Sequence, residues 1–454
     1  MNSPLNILIV IADDMGVHQL GCYGSSFYET PNLDLLAAGG ARFATAYSTS
    51  PVCSPARASL YTGLHPARLH LTNYIPGTEP ANPRLITPAW RPYLPVEVTT
   101  LGDVFKKNGY ATGHFGKWHF AYDYNYHPGR PTDPESQGFD SVLVTRKPSS
   151  RADAEHDAHH VERLTDAAID FISTPRTNPF LCVVAHNTLH RPELAPADLI
   201  ARYASKPGAD HAHERPVVAA MVEQLDRSIG RLRAALRSHG FERNTLVVFT
   251  SDHGAFGRSQ DCKPLRGAKA DLYEGGVRVP LIYSLPGRIA PQMRNEPVAG
   301  TDFFSTVLDF AGLAAPENVD GRSVAPALLD PAVRPAPAKE LCWHFPHYHH
   351  LGLAPSGAIR VGRYKLIEWF DRTIGGAQDG PAFELYDLES DPSEQHNLAA
   401  QEPARTSELA TRLRNWRREI GAQEMARNPA FDPALGDDMA PPPPGDPGNP
   451  YSSQ

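Results

Sequence analysis

Asn6-Ile7-Leu8-Ile9-Val10-Ile11-Ala12 runs without a break into Asp13-Asp14. A run of branched apolar residues with no polar alternation is the pattern of a strand buried on both faces, the kind found in parallel sheets covered by helices. The two carboxylates that follow would repel each other. At a buried strand end they are costly to desolvate unless a cation neutralises them. Taken alone, the pair reads equally well as a surface turn or a helix cap.

Outward from this strand the chain alternates. Thr30-Pro31-Asn32 followed by Leu33, Leu35 and Leu36 and closed by Gly39-Gly40 reads as a helix with Pro in its first turn and Gly at its end. Ser54-Pro55 opens a second helix that closes near Gly63, and Thr100-Leu101-Gly102-Asp103 is a capping box for a third that ends at Asn108-Gly109. Ala111–Phe115, Phe180–Ala185, Leu246–Thr250 and Val279–Tyr283 read as strands. Ala154–Ile172, Val217–His239 and Asp302–Ala311 read as helices. This alternation predicts an α/β fold: a large, mostly parallel sheet sandwiched by helices. The pattern changes at Pro331–Ala338. Beyond it, Ala358–Trp369 reads as a hairpin turning at Gly362-Arg363, Phe383–Asp387 as a strand and Glu402–Ile420 as a helix, a smaller antiparallel α+β domain. The expected organisation is a catalytic domain over residues 1–335, a C-terminal subdomain over 336–435 and a disordered or draped tail over 436–454, where Pro441–Pro444 sits.

The chain has 454 residues, too many for one hydrophobic core, and 41% of them are hydrophobic, which supports a packed interior. A net charge of −8 argues against a broad nucleic-acid-binding surface, though not against a small electropositive pocket. Proline, at 44 residues, predicts long ordered loops. No apolar stretch approaches the roughly 20 residues that cross a bilayer. No secretory leader is evident either, since Arg42 is the first Lys or Arg. As written the chain reads as cytoplasmic, or as periplasmic or secreted if a leader has been removed. The five scattered cysteines form no CxxC pair and no disulfide framework.

Ligands of doubly wound sheets bind beyond the carboxyl ends of the strands. Ser251-Asp252-His253-Gly254 follows one strand and joins Asp13-Asp14 as candidate ligands of a hard cation, Ca²⁺ or Mg²⁺. Cys53 and Arg57 flank the start of a helix, where free N–H groups favour an oxyanion. Gly116-Lys117-Trp118-His119 places a cation and an imidazole on one face of an extended exit. His186 and His190 follow the Phe180–Ala185 strand, and Lys269 precedes Tyr273-Glu274-Gly275-Gly276. Each has an ordinary reading as a core thiol, a satisfied histidine or a solvated lysine. Together they describe an anion pocket around a metal.

These residues resemble the type I sulfatases of the alkaline-phosphatase superfamily. The family's C-x-P-x-R element stands as Cys53-Ser54-Pro55-Ala56-Arg57, and Asp13-Asp14, Gly116–His119, His190-x-Pro192, Asp252–Gly254 and Lys269 follow in the family's order. Trp343–His347 and Glu384–Leu388 are similar to segments of bacterial carbohydrate sulfatases. The resemblance implies that a formylglycine-generating maturation enzyme oxidises Cys53, and that a hydroxyl of the hydrated aldehyde attacks sulfur. It implies a divalent cation, usually Ca²⁺, held by Asp13, Asp14, Asp252, residue 53 and His253. It further implies that Arg57, Lys117 and Lys269 neutralise the sulfuryl oxygens, that His190 with Lys269 protonates the leaving oxygen, and that His119 takes a proton from residue 53. The implied substrate is a small-molecule or oligosaccharide sulfate ester. A formylglycine-dependent phosphodiesterase or phosphonate monoester hydrolase is the alternative. His186 on the substrate side, and His344, His347, His349 and His350 in the second domain, are candidate sugar contacts.

Overall fold

A computed structural model describes residues 4–122, 126–257, 262–333, 340–351 and 354–435. The expected tail at 436–454 and the expected boundary at 335 lie outside the described residues.

Eight strands form the main sheet: β1 (Asn6–Ala12), β2 (Ala41–Phe43), β3 (Ala111–Gly116), β4 (Ser141–Val144), β5 (Phe180–Ala185), β6 (Thr245–Ser251), β7 (Leu281–Ser284) and β8 (Gln292–Arg294). Their order is β8-β2-β7-β6-β1-β5-β3-β4. The five strands β6, β1, β5, β3 and β4 are mutually parallel, so all five open at the same edge. Only β7 runs against its neighbours. Helices α1 (Pro31–Ala38), α2 (Cys53–Thr62), α3 (Leu101–Lys107), α4 (Val161–Ser173), α5 (Pro216–Ser238) and α6 (Gly300–Ala311) cover both faces. Residues of β1 alternate between two cores. Ile7, Ile9 and Ile11 pack with Leu60 of α2, Val104 of α3 and Phe303 of α6, while Leu8 and Val10 pack with Leu33 of α1, Leu164 of α4 and Leu225 of α5. Burial of each such side chain contributes about 1.5–3 kcal/mol.

The second sheet is antiparallel, in the order β9 (Leu341–Phe345), β10 (Ser356–Val361), β11 (Tyr364–Trp369) and β12 (Phe383–Asp387), with helix α7 (Pro403–Ile420) packed on it. Two predicted elements differ. The helix expected from Ala154 starts only at Val161, because the Asp157 carboxylate accepts from the amides of Glu162 and Arg163 and caps it there. The strand expected over Val279–Tyr283 splits at Pro280, which has no N–H to donate. Arg278–Val279 joins a small separate sheet and β7 joins the main one.

Candidate active site

The site is built where β1, β3, β4, β5 and β6 open. Three non-glycine residues here adopt left-handed backbone, Asp14 (φ 61°), His119 (φ 71°) and Ala270 (φ 74°). That conformation is disfavoured for side chains with a Cβ and persists only where surrounding structure imposes it. Glycine permits the close approaches between exits. A Cβ on Gly116 would lie 1.9 Å from the Ala185 carbonyl oxygen, and one on Gly254 would lie 2.0 Å from that of Gly275.

Cys53 is the first residue of α2, with its Sγ 3.3 Å from His253 Nε2, 3.4 Å from Lys269 Nζ and 3.8 Å from Asp13 Oδ1. Burial opposes ionisation, yet Lys117, Lys269 and His253 together hold the thiol well below its ordinary range. The position therefore stabilises negative charge. Lys117 Nζ donates to both oxygens of Asp13, at 3.0 and 2.8 Å, and Lys269 Nζ to both oxygens of Asp14, at 2.9 and 3.0 Å. Asp14 is held below its usual range, burial being outweighed chiefly by Lys269 and by His253. Asp13 is pushed well above its range by burial, against Lys117. One ammonium per carboxylate thus leaves Asp13 short of positive charge.

His253 Nδ1 lies 3.0 Å from the Gly254 carbonyl oxygen, which only accepts, so Nδ1 carries the proton there. Nε2 faces the cluster, 3.0 Å from Asp14 Oδ1. Burial opposes its protonation, but Asp252, Cys53 and Asp14 raise its pKa to about 10. In effect the protein holds an extra proton where a cation would serve. Ligand atoms of Asp13, Asp14, Cys53 and His253 all lie within 4.8 Å of one another. Buried oxygens, one deprived carboxylate and an inward imidazole nitrogen fit a hard divalent cation.

Other expected members sit differently. Asp252 borders the tight set: its Oδ2 accepts from Arg57 Nε at 2.9 Å, and its Oδ1 accepts from the amides of Asp14 and His253. Arg57, expected to face the sulfuryl oxygens, is fully buried. It bonds Asp252 and the Lys117 carbonyl, with Nη2 3.9 Å from Asp13. His119 donates from Nε2 to the Ile75 carbonyl at 2.8 Å, which leaves Nδ1 as the basic atom of its neutral ring. His190 donates from Nδ1 to the Arg191 carbonyl at 2.8 Å, so its Nε2, 3.9 Å from Asp14, is bare in the neutral ring. Burial and Lys269 hold its pKa at about 3.

Three histidines expected on the substrate side point elsewhere. His186 lies 3.3 Å from Ser228 on α5, in the helical layer behind the sheet. His344 bonds the Gln423 carbonyl at 2.7 Å, and His347 bonds Thr72 at 2.8 Å beneath Trp90. All three are buried and bonded elsewhere through Nε2. Of the same loop, His349 is the buried ring on which the charges of Lys269, Cys53 and His253 act, and it packs against Tyr74 and Phe345.

A cavity opens over the cluster, lined by Asp13, Lys117, His119 and His190 together with Thr145, Arg146, Lys147 and Asn187. Arg146 and Lys147 were not among the expected residues. They follow Ser141-Val142-Leu143-Val144, a four-residue, half-exposed edge strand too short to register as a strand by its pattern.

The loop that carries Lys269 is tied to the second sheet. Lys365 Nζ on β11 lies 3.0 Å from both Glu274 Oε1 and Glu394 Oε1, and Arg266 donates to Tyr386 Oη and the Glu394 carbonyl, each at 2.9 Å. Tyr47 donates to Glu274 at 2.8 Å.

Among known proteins, a family model described as Sulfatase matches residues 5–313, and one described as N-sulphoglucosamine sulphohydrolase, C-terminal, matches residues 268–420. A sulfatase of Formosa agariphila is 29% identical over 91% of this chain and 88% of its own length. An N-acetylgalactosamine-6-O-sulfatase of Bacteroides thetaiotaomicron is 26% identical over 90% of this chain and 92% of its own. The solved structure of Ps i-CgsB in complex with k-i-k-neocarrahexaose superposes with a TM-score of 0.74, at 24% identity, covering 91% of this chain and 93% of that one. Cysteine, carboxylates and lysines gathered at one sheet edge thus stand in a chain that two sulfatase models span, and the chain belongs to the sulfatase family, as a sulfuric ester hydrolase.

Proposed function

We propose that the chain releases inorganic sulfate from a sulfated carbohydrate, using residue 53 as formylglycine and a bound divalent cation, Ca²⁺ being the family's usual ion. The observation that carries this reading is the set Asp13, Asp14, Cys53 and His253 within 4.8 Å, bracketed by two lysine ammoniums at the start of a helix. When present, the cation supplies Lewis-acid charge to the sulfuryl group, and the hydrated aldehyde supplies the attacking hydroxyl. Lys117 and Lys269 face the charge that develops on the sulfuryl oxygens. Arg57 acts from behind, orienting Asp252 and lending charge to Asp13. His119 Nδ1 receives a proton from residue 53.

His190 is neutral, with Nε2 bare. The proton for the leaving oxygen therefore starts on the Lys269 ammonium, or reaches His190 Nε2 when an anionic ester arrives. The carbohydrate class rests on relatives: an N-acetylgalactosamine-6-O-sulfatase among the homologues and an oligosaccharide-bound structural neighbour. Turnover of an aryl sulfate and an aryl phosphodiester, compared on protein co-expressed with a formylglycine-generating enzyme, tests the reading. Mass spectrometry of the Cys53 peptide reads the modification. Preference for the diester would turn the assignment to a phosphodiesterase, and an unmodified thiol with full activity would overturn the nucleophile.

A further inference from the structure

The cavity over the cluster is lined by a lysine that the proposed reaction does not use. Lys117, which bonds both oxygens of Asp13, lines it beside that carboxylate. Lys147 lines the same cavity but comes from β4, the edge strand, three strands from β1. At about 4.8 Å per strand, its exit starts roughly 14 Å from that of β1. A hydrogen bond of 2.8 Å from Asn187 Nδ2 to Thr145 Oγ1 fastens the β4 exit to the β5 exit, which carries His190. Lys147 is half-buried, with the exposed Arg146 beside it on the rim.

The floor beneath Cys53 is filled by Asp13, Asp252 and the buried Arg57. His190, placed at the leaving oxygen, lines this cavity with Arg146 and Lys147, so the alcohol portion of the ester lies among them. Burial, then repulsion from Lys269 and Lys117, lowers the Lys147 pKa to about 8, against the pull of Asp14 and Cys53.

We propose that Lys147, with Arg146 at the rim, is a specificity element that binds a second anionic group of the substrate, a sulfate or a carboxylate on the sugar next to the ester being cleaved. This rests on the sulfatase reading and narrows its substrate class to doubly charged sugars. Lys147 contacts the retained part of the substrate and takes no part in the bond change.

Calorimetric binding to the Cys53→Ala protein in Ca²⁺ tests this without turnover. The probes are a monosulfated neutral sugar, the same sugar carrying two sulfates, and a monosulfated disaccharide with a uronic carboxylate. The doubly charged ligands are expected to bind about tenfold more tightly than the monosulfated one, the worth of one charge-assisted contact. Lys147→Met should erase that preference while leaving the monosulfated ligand within twofold, and Lys147→Arg should restore it. Loss confined to one doubly charged ligand identifies the group as sulfate or as carboxylate. An intact preference in Lys147→Met, or equal weakening of all three ligands, would overturn the proposal. Failure of the sulfatase reading shows elsewhere, as absent aryl sulfate turnover by the unsubstituted enzyme.

Discussion

Replacing Lys365 by Met tests how the second sheet supports the site. The ammonium lies 3.0 Å from Glu274 and 3.0 Å from Glu394, and all three side chains are at most 1% exposed. Methionine keeps the aliphatic stem beside Trp343 and deletes the charge. Breaking a buried pair by removing one partner costs about 3–5 kcal/mol, because the remaining charge is left without compensation. Two features place this case at the lower end. Glu274 keeps the Tyr47 hydroxyl at 2.8 Å and Arg278 at 3.8 Å. Glu394 can take up a proton, since burial and the Glu274 charge already raise its pKa to about 7 against the pull of Lys365. The expected loss is therefore about 3 kcal/mol, a large fraction of a typical total stability of 5–15 kcal/mol. Urea unfolding followed by tryptophan fluorescence reads it, with Trp343 and Trp369 packed into this interface. Adding Glu274→Gln should recover part of the loss by removing the stranded charge. Arg266 and the Glu394 carbonyl connect the network to the loop bearing Lys269, so kcat should fall at temperatures where the variant stays folded. A Lys365→Met protein within about 1 kcal/mol of the parent would refute the reasoning, since it would mean the two carboxylates never depended on that ammonium.

Glu394 carries a pH signature. Its carboxyl titrates near 7 in the fold against an ordinary value of 4.5, so between those values the unfolded chain has released a proton that the folded chain keeps. Stability should fall as pH rises through that window, and Glu394→Gln should flatten the fall in urea midpoints. Cys53→Ala and Cys53→Ser should both abolish aryl sulfate turnover while their circular dichroism and melting stay near the parent's, as neither side chain can become an aldehyde; turnover by either at the parent rate would exclude residue 53 as the nucleophile's source. Chelation should lower the melting temperature, and restoring Ca²⁺ at a hundred times its Kd should return about 2.7 kcal/mol of stability. Identical melting curves with and without chelator would argue against a cation among Asp13, Asp14, Cys53 and His253.

Much of the molecule was legible in the chain because its signals are local. An unalternated Ile/Leu/Val run marks a doubly covered strand, and β1 spans Asn6–Ala12 as read. Thr100 and Asp103 form both hydrogen bonds of the predicted capping box. Parallel strands all open on one edge, so motifs far apart in sequence had to meet there: Asp13 and Lys117 stand 2.8 Å apart across 104 positions.

What the chain did not disclose depends on direction and neighbours. Residue type makes Arg57 a candidate for the substrate, but burial and the 2.9 Å bond to Asp252 assign it to the carboxylates. His186, His344 and His347 share a residue type with His119 and His190. Only packing decides that the first three turn toward Ser228, Gln423 and Thr72 while the others meet the cavity. Lys147 was passed over because its strand is short and half-exposed, and only the sheet order, which sets β4 beside β3, brings it to the cavity that Lys117 and His119 line. The sequence by itself determined which chemistry is present and on which edge it gathers, since strand pattern and motif order are properties of neighbouring residues. Tertiary structure alone decided which charge faces which, because burial and pairing are set by elements hundreds of residues apart.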